Sequence, residues 1–85
     1  MKRIVIFASG SGTNAENIIK YFRESTIATV VQVLTNKQHA KVLDRANSLN
    51  VKSLCFNKKE FIEEDTILNL LKQEADFIIL AGFLW

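Results

Sequence analysis

Apolar positions along this chain fall into blocks with two different periods. Residues 3–8 (Arg3-Ile-Val-Ile-Phe-Ala8) are almost continuously apolar and run into a glycine-containing loop, as expected of a strand buried on both faces. Ile18, Ile19 and Phe22 then recur at helical spacing, predicting a helix that ends near Arg23 or Glu24. Thr13 and Glu16 stand at capping-box spacing at its start. Residues 28–35 are β-branched and apolar and predict a second strand. A helical stripe follows at Val42, Leu43, Ala46 and Leu49, with Asn50 placed as a left-handed cap. Residues 51–56 predict a third strand. Ile62, Ile67, Leu70 and Leu71 mark one further helix through about Glu74, starting somewhere within residues 58–65. Residues 75–81 predict a fourth strand, which Gly82-Phe-Leu-Trp85 leaves.

Strands alternating with helices predict an α/β fold, βαβαβαβ, in which a parallel sheet carries helices on both faces. Right-handed crossovers give a Rossmann-like strand order 3-2-1-4. The order reverses between the first and fourth strands, and ligands of such sheets bind at the carboxyl ends beside that reversal. The segments expected there are residues 9–14 and 82–85. The fourth strand is apolar and has no helix after it to cover it, so the sequence predicts the front part of a longer fold or an edge covered by another chain.

The loop Ala8-Ser-Gly-Ser-Gly-Thr-Asn-Ala-Glu-Asn17 contains Gly10-x-Gly12-x-x-Ala15, which fits the dinucleotide fingerprint. That reading also needs an acid after the second strand to bind the ribose hydroxyls, and Leu34-Thr-Asn-Lys37 has none. Lys37 leaves a 2′-phosphorylated dinucleotide open. A P-loop is absent, because no Gly-Lys-Ser/Thr follows. The remaining chemistry is a compact anion cradle. Glycines let the backbone come close, amides of residues 11–14 lie at a helix start, and Ser11, Thr13 and Asn14 add polar side chains. The competing reading is a tight βα turn with Thr13 serving only as N-cap.

Composition narrows the rest. The chain has 85 residues, 48% hydrophobic and 24% charged, which suits one globular domain and argues against disorder. A net charge of +2 with interspersed signs gives no case for nucleic acid or a membrane surface. The apolar runs fall short of the roughly 20 residues of a membrane span and of a signal peptide's pattern, which predicts a cytoplasmic protein. Cys55 is the only cysteine; its apolar surroundings predict a buried structural thiol in a reducing compartment. His39 reads as a solvated residue at a helix start, and Asp44, Asp65 and Asp76 as helix-face or helix–strand junction residues. One cysteine and one histidine make no structural zinc site, so no metal is expected.

Three segments together carry a family resemblance: Ile4-Val-Ile-Phe-Ala-Ser-Gly-Ser-Gly-Thr-Asn14, Thr35-Asn-Lys37 and Leu80-Ala-Gly-Phe-Leu84. In this register the chain resembles the phosphoribosylglycinamide formyltransferases (GAR transformylases) over essentially its whole length, as their N-terminal, nucleotide-phosphate-binding part (residues 1–85). The resemblance implies formyl transfer from 10-formyltetrahydrofolate to the amine of glycinamide ribonucleotide, in de novo purine biosynthesis. It implies that Ser11, Gly12, Thr13 and Asn14 bind the substrate phosphate, and that Phe83, Leu84 and Trp85 line the folate pocket. The chain departs from the family at Leu84-Trp85, where Met-Arg is usual. The family's catalytic Asn, His and Asp lie beyond the Leu-Ala-Gly-Phe segment, so the 85 residues alone are expected to be inactive. A homodimer of the full-length enzyme stays open. The alternatives are a domain related to formyltetrahydrofolate deformylase, or a non-catalytic phosphate- or nucleotide-binding module.

Overall fold

The computed structural model describes residues 1–84. Its element order is β1 (Lys2–Phe7), α1 (Thr13–Phe22), β2 (Ala28–Thr35), α2 (Lys41–Ser48), β3 (Lys52–Cys55), α3 (Lys58–Ile62), α4 (Thr66–Glu74) and β4 (Phe77–Leu80). The four strands form one parallel sheet in the order β3-β2-β1-β4, as the crossover rule predicts.

Period-2 alternation in β1 divides the core into two layers. Ile4, Ile6 and Ala8 face Ala15 and Ile19 of α1 and Val42 and Ala46 of α2. Val5 and Phe7 face the opposite way, into a second layer with Leu34, Phe56 and Ile67 of α4. A strand between two helical layers has no polar face, which accounts for the continuous apolar run of β1.

The polypeptide differs from the sequence reading in four places. The single helix expected before β4 is two, α3 and α4, separated by a turn at residues 63–65. Asn57 starts α3 with a reciprocal capping box: its side chain accepts from the Glu60 amide at 2.8 Å, and the Glu60 carboxylate accepts from the Asn57 amide at 3.0 Å. At α1, by contrast, the N-cap is Gly12 with no side-chain cap, so the Thr13–Glu16 pair forms no capping box. Thr13 is instead the first helical residue, and the Glu16 carboxylate is drawn to Arg45 and Lys20. Cys55 is only partly buried, because β3 is an edge strand and the thiol lies near its open carboxyl end. Finally, a bulge in β2 shifts the β1–β2 register between Ile4 and Val5.

Asn50 has φ 60°, the left-handed conformation expected of it. His39 and Asp44 are solvent-exposed, and Asp76 sits at the α4–β4 junction, paired with Arg3. On the other edge of the sheet, β4 leaves Phe77, Ile78 and Leu80 more than half exposed. Among the described residues no helix is long and apolar enough to cross a membrane, and no group of three His, Cys, Asp or Glu side chains could hold a metal ion.

Candidate phosphate-binding site

Two segments leave the sheet at the β1/β4 reversal: the loop after β1 and the turn after β4. They line one depression of about 170 Å³, whose walls are Gly10, Ser11, Gly12, Thr13, Asn14, Ala81 and Gly82. The structure thus brings together all four residues expected to bind phosphate. Ser11, Thr13 and Asn14 are exposed at its rim, and the hydroxyls of Ser11 and Thr13 are 3.1 Å apart.

The start of α1 brings backbone donors to this depression. The Glu16 amide donates to the Gly12 carbonyl at 2.8 Å as an opening bond of α1. The amides of Thr13, Asn14 and Ala15 precede it and have no acceptor within the helix. With no side chain at the cap to take one of them, they and the positive end of the helix dipole are left for an external acceptor. Every wall residue is uncharged, so no wall side chain ionises near neutral pH, and donors at a helix start are groups that can hold an anion.

Gly12 is required for a reason the sequence did not reveal. It has φ +81°, and a Cβ built on it would lie 2.6 Å from the Val42 Cβ on α2. Its missing side chain makes room for α2. Gly10 and Gly82 have open space instead, with nothing among the described residues within 4 Å of the corresponding position.

Behind the loop, Arg45 of α2 donates through Nε to the Ser11 carbonyl at 2.6 Å and through Nη1 to the Glu16 carboxylate at 3.1 Å. Hydrogen bonds from Arg45 and then Lys20 hold the Glu16 carboxyl below the usual carboxylate range. Sequence reasoning missed Arg45, since an arginine on the polar side of a short helix looks like a solvated residue until the partner loop is in place.

Beside the depression, the buried Ser9 ties three strand ends together. The Leu84 amide donates to Ser9 Oγ at 2.8 Å, and Ser9 Oγ lies 2.7 Å from Asn36 Oδ1 and 2.9 Å from the Leu84 carbonyl, two acceptors for its one proton. Asn36 Nδ2 donates to the same carbonyl at 2.8 Å. Phe83 is half-buried, its ring edge-on to Phe7 at 5.3 Å between centroids. Leu84 is 72% exposed although its backbone amide and carbonyl are both hydrogen-bonded. Trp85, the third residue expected in a folate pocket, lies outside the described residues.

A sequence profile described as formyl transferase matches residues 2–85. The chain belongs to the formyl transferase family. Among its relatives is phosphoribosylglycinamide formyltransferase of Bacillus subtilis (strain 168), 32% identical over 90 residues that cover 99% of this chain and 46% of the relative. The trifunctional purine biosynthetic protein adenosine-3 of Drosophila melanogaster is 33% identical over 98% of this chain and 7% of its own length. Among solved structures, glycinamide ribonucleotide transformylase 1 from Geobacillus kaustophilus superposes with a TM-score of 0.87 at 36% identity, over 100% of this chain and 48% of that one. Phosphoribosylglycinamide formyltransferase from Brucella melitensis gives 0.87 at 33% identity, over 99% and 47%. The chain therefore spans about half the length of the Bacillus subtilis relative and of both solved structures.

Proposed function

We propose that residues 1–85 are the N-terminal, phosphate-binding part of a phosphoribosylglycinamide formyltransferase domain. The whole enzyme transfers a formyl group from 10-formyltetrahydrofolate to the amine of glycinamide ribonucleotide, in the cytoplasm and as a step of purine biosynthesis. The observation that carries this reading is the depression at the β1/β4 reversal. Its walls are uncharged and include the start of α1, in a chain whose relatives carry this enzyme's name.

In this reading Ser11, Gly12, Thr13 and Asn14 hold the monophosphate of glycinamide ribonucleotide. Backbone amides at the start of α1 supply direction, and the two hydroxyls and the Asn14 carboxamide add hydrogen bonds. The phosphate anchors the far end of the substrate so that its amine is held beside the formyl donor, a positioning contribution. Phe83 and Leu84 form one wall of the folate pocket, to which the family resemblance adds Trp85. Their fit to a folate is apolar: the Phe83 ring is fixed against Phe7, and the exposed Leu84 side chain offers a surface. The Leu84 amide and carbonyl are already engaged with Ser9 and Asn36, so this residue contributes contact area in place of backbone hydrogen bonds. When bound, 10-formyltetrahydrofolate supplies the formyl carbon. The groups that move protons and stabilise the oxyanion belong to the rest of the enzyme, so the 85 residues alone do not catalyse transfer.

Titrating ribose 5-phosphate into the ¹⁵N-labelled chain tests the cradle. Saturable shifts at the amides of Gly12, Thr13 and Asn14 are expected, and a response confined to other residues would overturn it. A formyl-transfer assay with both substrates tests the second half. No turnover is expected, and turnover by the isolated chain would refute the division of labour.

A further inference from the structure

The geometry points to Arg45 as the positioning residue of the phosphate loop, acting from behind it without touching the ligand. This rests on reading the loop as a phosphate cradle. Arg45 is not a wall of the depression, yet it donates at 2.6 Å to the Ser11 carbonyl and at 3.1 Å to Glu16 in the first turn of α1. The Ser11–Gly12 peptide is trans, so the Gly12 N–H points opposite to the Ser11 carbonyl. Arg45 holds that carbonyl toward α2 and thereby turns the Gly12 N–H away from α2. Val42 lies three residues earlier on the same face of α2 and closes against Gly12. One helix face thus holds the Ser11–Gly12 peptide by an ionic hydrogen bond and closes on Gly12 itself by contact.

The guanidinium also offsets a charge that would oppose an anion. Glu16 stands in the first turn of α1, close to the amides that would receive a phosphate. Arg45 and Lys20 both pair with it, at 3.1 and 3.3 Å. Lysine could not replace Arg45 in this arrangement. Two acceptors on different elements are met at once by two nitrogens of one planar fork, whereas an ammonium is a single point charge on a flexible stem.

Nuclear magnetic resonance on the chain with Arg45→Met, Arg45→Lys and Arg23→Met tests the inference. Arg23 is the internal control: it donates to the Leu49 carbonyl at 2.7 Å, a bond of the same kind beyond the far end of α2. In the ligand-free protein, Arg45→Met should displace the amide signals of Gly12 and Thr13 and change the Gly12 scalar couplings. Ribose 5-phosphate should then bind about tenfold more weakly. Arg45→Lys should regain part of the affinity but not the Gly12 signal, and Arg23→Met should bind as the parent does. Unchanged Gly12 and Thr13 signals in Arg45→Met overturn the inference, as does full recovery of affinity by lysine with Gly12 still displaced. Equal weakening by Arg23→Met would show a general loss of stability and also overturn it. If Arg45→Met does not fold, the lysine variant decides by the same two readings. A parent chain that ignores ribose 5-phosphate refutes the cradle, while the ligand-free signals still judge Arg45.

Discussion

Gly12 and Val42 meet so closely that a single methyl group on Gly12 would stand 2.6 Å from the Val42 Cβ. The loop and α2 are therefore one packed unit. Gly12→Ala must push α2 outward and also hold alanine at φ +81°, so it should cost about 2 kcal/mol or more, read as a fall in the thermal midpoint. Gly10→Ala meets no atom within 4 Å and should leave the midpoint almost unchanged. If Gly10 approaches a ligand closely, the same variant should weaken ribose 5-phosphate binding. Loss of stability in Gly10→Ala, or none in Gly12→Ala, would contradict the packing described.

Helix starts make the next contrast. Asn57→Ala removes a side chain that caps α3 reciprocally with Glu60 and should cost about 1 kcal/mol. Thr13→Ala, which the sequence alone would rank as the equivalent change at α1, removes no cap and should cost no more than a few tenths of a kcal/mol. Denaturant midpoints of the two variants would check the order, and the reverse order would refute it.

How far the sequence could be read depended on the range of the interaction. Strand order followed from alternating elements and crossover handedness, and so did the meeting of residues 10–14 with Gly82. Those inferences need only chain direction and periodicity. The break between α3 and α4 was not legible, because Phe61, Ile62 and Ile67 keep an apolar rhythm across residues 63–65. Neither was the role of Gly12 against Val42, nor that of Arg45 on the Ser11 carbonyl. Each joins residues some thirty positions apart through packing that no local pattern encodes. The fingerprint glycines were found for one reason, ligand approach, and Gly12 also serves another, the packing of α2.

Acid should weaken the fold through two carboxylates. Hydrogen bonds from Arg3 hold the Asp76 carboxyl below its ordinary range, and Arg45 and Lys20 do the same for Glu16. A carboxylate depressed in the folded state adds stability above its unfolded pKa and loses it as pH falls through the folded one. The thermal midpoint should therefore be level near neutrality and decline below about pH 4. Arg3→Met should lower the neutral midpoint slightly and flatten part of that decline, since Asp76 then titrates nearer its ordinary value. An acid limb identical to the parent's would rule Asp76 out as a contributor. Both pairs are solvent-accessible, so added salt should shrink the effect.

Gln32 carries a cost that can be removed. It is 4% exposed, next to the bulge in β2, and its Oε1 has no hydrogen-bond partner among the described residues. A buried acceptor left unpaired is unfavourable, and an apolar side chain of similar length avoids it. Gln32→Met should raise stability by about 1 kcal/mol, measured by denaturant unfolding. A clear loss would mean that the carboxamide is satisfied in solution, by an ordered water for example.

Ser9 supplies the test of how the two halves of the proposed site are joined. It directly precedes Gly10 of the loop, while its Oγ accepts from the Leu84 amide at 2.8 Å, a residue 75 positions away. Ser9→Ala leaves that amide without its acceptor and Asn36 Oδ1 without a donor. The surviving Asn36 bond to the Leu84 carbonyl should keep the segment near its place but looser. Stability should fall by about 1–2 kcal/mol, and hydrogen exchange should quicken at Leu84 more than at Ala81, whose amide is held by the Phe7 carbonyl at 2.8 Å. Asn36→Ala should act in the same direction through the carbonyl. If both variants leave exchange at Leu84 unchanged, Ser9 does not hold the turn after β4, and the loop and the Phe83–Leu84 wall are positioned independently.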